Sequence, residues 1–85
     1  MLFNENKPEN IIKESKYWLK KSNEKPNYDQ VIKILDAFSR NVEWINYYIK
    51  KNPQNPYNDV LTSLKEKQIE KAKELKKNFP KNIVK

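Results

Sequence analysis

The sequence predicts an all-α fold, an antiparallel three-helix bundle with a long central second helix, on three observations. Between Asn27 and Asn52 the apolar residues Tyr28, Val31, Leu35, Phe38, Val42, Ile45 and Ile49 recur at intervals of three and four, a spacing that makes one stripe on a helix and none on a strand. Pro26 and Pro53 stand just outside this stretch, where a helix is obliged to begin or end. The connections that remain are about five residues or fewer, short enough to fold successive helices back on one another.

The first helix is expected over residues 8–22. Asn6, with Glu9 three positions later, has the spacing of a capping box, and Pro8 is tolerated in a first turn. Its buried arc is Ile11, Ile12, Ser15, Trp18 and Leu19, while Tyr17 points the other way among Lys13, Lys20 and Lys21. The second helix, residues 28–51, opens on a further capping box, Asn27 with Gln30. It closes on Lys50, Lys51 and Asn52, where cations suit the negative end of the helix dipole. The third, residues 56–78, takes Asn55 as its cap and Pro56 as its first residue, and stops before Pro80. Its seam is thinner and more polar: Tyr57, Val60, Leu61, Leu64, Gln68, Ala72, Leu75 and Phe79. Residues 80–85 read as a loose tail and residues 1–85 as a single domain. With no glycine in the chain, asparagine is expected to supply left-handed caps, at Asn23, Asn52 and Asn78.

Composition narrows the function. The 85 residues form a core only marginally sufficient without a staple, and the chain has neither cysteine nor histidine. Disulfides and thiolate or imidazole metal sites are thereby excluded, and with them the usual nucleophile and the usual general base of neutral pH. The chain is expected not to be an enzyme and to carry no cofactor. Glu66, Glu70 and Glu74 share a helix face, but the lysines between them make that face a solvated one rather than a metal site. No run approaches the ~18 apolar residues of a membrane span, and the first residues lack the basic-then-apolar order of a signal peptide, so a cytoplasmic location is expected. The net charge of +7 points to an anionic partner. Only Arg40 among the 18 basic residues is arginine, and an excess of lysine, asparagine and isoleucine is also what AT-rich coding produces.

Two sets of residues stand out. On a wheel of the second helix, Lys33, Arg40, Trp44, Tyr47 and Lys51 fall on one line nearly opposite the apolar seam. A first helix of about 15 residues, roughly 22 Å, should cover the second only from Tyr28 to about Val42. Ile45, Tyr48 and Tyr57 should then stay partly open beside the line. Arg40, Trp44, Tyr47, Tyr48, Lys51 and Tyr57 are therefore expected to bind a partner, since wide aromatic surface rimmed by cations is what binding hot spots are made of. The partner is expected to be a larger protein, with the chain acting stoichiometrically as an inhibitor, immunity or accessory factor; a homodimer through the same patch competes with this. The second set, Lys13, Tyr17, Lys20, Lys21 and Lys33, offers stacking and phosphate contacts to nucleic acid, the combination of sequence-tolerant single-strand binders.

Overall fold

In a computed structural model, which describes residues 7–78 and only the backbone of Asn78, the chain forms three α-helices: α1 (Pro8–Ser22), α2 (Tyr28–Lys51) and α3 (Asn58–Asn78). Each helix packs against both others. The expected tail and Phe79 lie outside the described residues, as does Asn6. No strand is present among the described residues.

The cap of α2 forms as its sequence requires: Asn27 Oδ1 accepts from the Gln30 N–H at 2.9 Å and Gln30 Oε1 accepts from the Asn27 N–H at 2.9 Å, so two amides otherwise unpaired at a helix start are satisfied. The other two starts differ from expectation. The residue at the cap of α1 is Lys7, without a side-chain cap bond, because a lysine ammonium has no acceptor to offer the first-turn N–H groups. Helix α3 begins at Asn58 rather than residue 56. Asn55 Oδ1 accepts from the Tyr57 N–H at 2.7 Å, and the Asn58 N–H donates to Asn55 O at 3.1 Å. The segment 55–58 is thus a turn closed by the asparagine side chain, of the kind short polar residues favour over helix.

At Asn23 and Asn52 asparagine does not supply a left-handed cap. Asn23 has φ −94° and Asn52 φ −133°, and among the described residues the one with positive φ is Lys25, at 53°. Both asparagines lie at helix ends where the chain turns without reversing hand. Lys25 takes the left-handed conformation inside the 23–27 connection, where no glycine is available. The turn beyond Asn78 lies outside the described residues.

The core has two apolar layers. Ile11, Ile45, Leu61 and Leu64 form one, with Ile12, Leu19, Trp44, Tyr48 and Ile49 packed around it. Val31, Ile34, Phe38 and Leu75 form the other, with Trp18, Leu19, Leu35 and Ala72. Between them in sequence, each helix contributes one buried polar residue: Ser15, Asn41 and Gln68. Asn41 Nδ2 donates to Gln68 Oε1 at 3.0 Å, and Gln68 Nε2 donates to Leu64 O at 3.2 Å. The Ser15 hydroxyl is fully buried and has no hydrogen-bond partner among the described residues.

This packing turns α2 about its axis relative to the expected seam. Ile34, Ala37 and Asn41 are buried, whereas Tyr28 is 40% exposed and Leu35, Val42 and Ile49 are half-buried. A helix between two neighbours buries a wide arc, and the small Ala37 and hydrogen-bonded Asn41 can enter that arc although neither is a strong hydrophobe. Of the seam expected for α3, Tyr57, in the turn before the helix, and Val60 are likewise exposed, and the buried positions are Leu61, Leu64, Gln68 and Leu75.

Candidate binding groove between α1 and α2

Of the three residues expected to stay partly open, Ile45 is instead fully buried, in one cluster with Ile11 of α1, whereas Tyr48 is half-buried and Tyr57 37% exposed. Leu61 and Leu64, from the start of α3, complete that cluster, so α3 as well as α1 covers Ile45.

The individual residues of the patch divide accordingly. Trp44 is half-buried and packs on the apolar layer of Ile11 and Ile45. Tyr48 packs there as well, and its hydroxyl accepts from Asn55 Nδ2 at 2.8 Å, tying the end of α2 to the following turn. Tyr57 is 37% exposed, and its hydroxyl makes a long 3.5 Å bond to Glu9 Oε2. Tyr47 is 54% exposed, with Lys51 Nζ 5.4 Å from its ring centroid. Arg40 is exposed and pairs with Asp36 at 3.4 Å, a surface pair of the kind worth about 0–1 kcal/mol and readily exchanged for another anion. Because the buried arc of α2 is centred nearer Ile34, Ala37 and Asn41, the line Lys33, Arg40, Trp44, Tyr47 and Lys51 runs to one side of the core rather than opposite it, and Lys33, at its start, lines a groove shared with α1.

The structure joins this edge to the second set of residues. Tyr17 and Lys21 from α1 and Lys33 from α2 line one open groove of about 210 Å³, together with Trp18, Glu24, Pro26, Gln30 and Ile34. Tyr17 is 51% exposed. Its ring meets Trp18 edge-on at 5.1 Å between centroids, and Lys21 Nζ lies 5.8 Å from its centre. The Trp18 Nε1–H donates to Glu14 Oε1 at 3.2 Å, which fixes the indole as the groove wall. Lys21 pairs loosely with Glu24 at 3.8 Å, and Lys33 has no ion pair with any described residue. Lys13 and Lys20 are exposed but do not line the groove.

Trp18, Pro26, Gln30 and Ile34 escape a reading of the sequence because each has a local role there: core edge, helix stop, cap and neighbour of the seam. Only the position of α1 against α2 makes them walls of one recess. Among the described residues no three carboxylates converge as a metal site would require, and no helix is long and apolar enough to cross a membrane. No protein-family model matches the chain, and no curated protein or solved structure does either.

Proposed function

We propose that the chain is a non-catalytic protein-binding module that acts stoichiometrically by covering part of a larger protein. Its scaffold in this reading is an antiparallel three-helix bundle around a long second helix. The pairing of opposite helix ends supports that topology: Leu61 and Leu64, early in α3, pack with Ile45 late in α2, while Leu75, late in α3, packs with Val31 and Ile34 early in α2. The observation that carries the functional reading is the exposed Tyr47 ring under Lys51. It stands on the same edge as Arg40 and beside half-buried Trp44, whose indole is already held by the core and so loses little freedom on binding. A partner with an acidic border around an apolar recess fits this edge.

The test compares capture from host lysate by the native chain and by Tyr47→Ala and Arg40→Ala, with and without nuclease. A nuclease-resistant partner that the native chain retains and Tyr47→Ala loses, with an affinity drop of about 2 kcal/mol or more, is the expected result. Equal capture by all three chains rejects the site, and capture abolished by nuclease rejects a protein partner. Sedimentation of the isolated chain distinguishes the homodimer, which Tyr47→Ala would dissociate.

A further inference from the structure

We propose that the groove between α1 and α2 takes one base of a single-stranded nucleic acid, stacked on Tyr17, with its flanking phosphates met by Lys21 and Lys33. This site goes beyond the protein-binding reading and does not depend on it: it lies at the other end of α2 and needs no further protein.

The groove carries two ammonium groups, Lys21 and Lys33, against one carboxylate, Glu24. Gln30 Oε1 is engaged by the Asn27 N–H, so the amide is oriented and its Nε2–H₂ is what remains to offer a ligand. The cations come from two different helices and both line the recess, Lys33 without an ion pair among the described residues and Lys21 held only loosely by Glu24. Phosphates on either side of an inserted base suit that placement, because successive phosphates diverge from the base they flank. The Tyr17 ring supplies an exposed π-face, which every base can use, and Gln30 meets a base acceptor of any identity, so binding is sequence-tolerant.

Size and apolar pattern separate this ligand from an acidic peptide. The recess, at about 210 Å³, is smaller than the roughly 300–1,000 Å³ of sites for larger ligands. Its apolar floor is confined to Trp18, Pro26 and Ile34 at one end, too short for the successive anchors of an amphipathic helix. The groove that α3 forms beside Leu19 of α1 is different in kind. There lysines alternate with Glu70 and Glu74, Lys71 pairs with Glu74 at 3.0 Å, and no aromatic ring lines it among the described residues.

Fluorescence anisotropy of a labelled short oligothymidylate with the full chain at about 50 mM salt tests the assignment. Binding is expected, with Tyr17→Leu weakening it about tenfold and Tyr17→Phe, which keeps the ring, retaining it. Lys21→Ala with Lys33→Ala should flatten the plot of log affinity against log salt by about 1.4, or about 0.7 for each phosphate released on a single strand. Lys67→Ala with Lys73→Ala, an equal loss of charge on the α3 groove, should leave that slope unchanged. Circular dichroism melts verify that each variant is folded, and the exposed lysines keep the test intact if Tyr17→Leu is not. Absence of binding, or equal loss from the two lysine pairs, overturns the proposal. So does a short polyglutamate that binds as tightly with the same dependence on Tyr17, which would reassign the groove to acidic protein segments.

Discussion

Replacing Asn41 by leucine and Gln68 by methionine, singly and together, measures what the buried polar pair contributes. Asn41 is 2% exposed and Gln68 fully buried, and one 3.0 Å bond joins them. Each substitution approximately conserves side-chain shape, so the cavity and strain costs stay small. Asn41→Leu leaves Gln68 Oε1 with no donor inside an apolar layer, a loss of about 1–3 kcal/mol. Gln68→Met strands the Asn41 amide in the same way and should lose a similar amount. The double variant leaves neither amide behind and adds apolar surface to the middle of the core. Its stability should return to that of the native chain or exceed it, as when other buried polar groups are exchanged for hydrophobic ones. Urea unfolding followed by circular dichroism then yields a coupling of about 2 kcal/mol or more between the two positions. That is a large share of the roughly 5–15 kcal/mol such a domain possesses. The double variant should also lose specificity: with an apolar middle layer, other registers and dimers become competitive, visible by sedimentation. If the double variant instead loses the sum of the two single losses, the amides act independently and the pairing argument fails.

Two further predictions follow from the rotation of α2 and from the polar layer. Phe38→Ala should cost about 3–5 kcal/mol in thermal or urea melts, whereas Tyr28→Ala, also in the sequence-derived seam but 40% exposed, should cost less than about 1 kcal/mol; comparable losses would show that the seam rather than the rotated face is buried. Ser15→Ala removes a fully buried hydroxyl that has no partner among the described residues and should leave stability unchanged or raise it by about 1 kcal/mol, while a clear loss in the same melts would mean that the hydroxyl is satisfied in solution.

What could be read from the sequence was whatever depends on neighbours along the chain. The existence of three helices, the limits of α1 and α2 and the Asn27–Gln30 box all follow from contacts within a few residues, because helix periodicity, proline and capping act over one turn. Even there the rule failed where two local options competed: at Asn55 the side chain closes a turn, and the helix starts later, at Asn58. Tyr17 was legible as outward and Phe38 as core, since either would keep its place under a modest turn of its helix.

The rotation of the helices was decided only by the tertiary structure. The burial of Ile34, Ala37 and Asn41 in place of Tyr28, and the closure of Ile45 in one cluster with Ile11, Leu61 and Leu64, depend on which arc three mutually packed helices turn inward. The meeting of Asn41 with Gln68, 27 residues apart, and of Tyr17 and Lys21 with Lys33 across a groove, has no signature along the chain. A helix determines the angle between its own side chains by its pitch, but its angle relative to another helix is set by the packing of both surfaces at once.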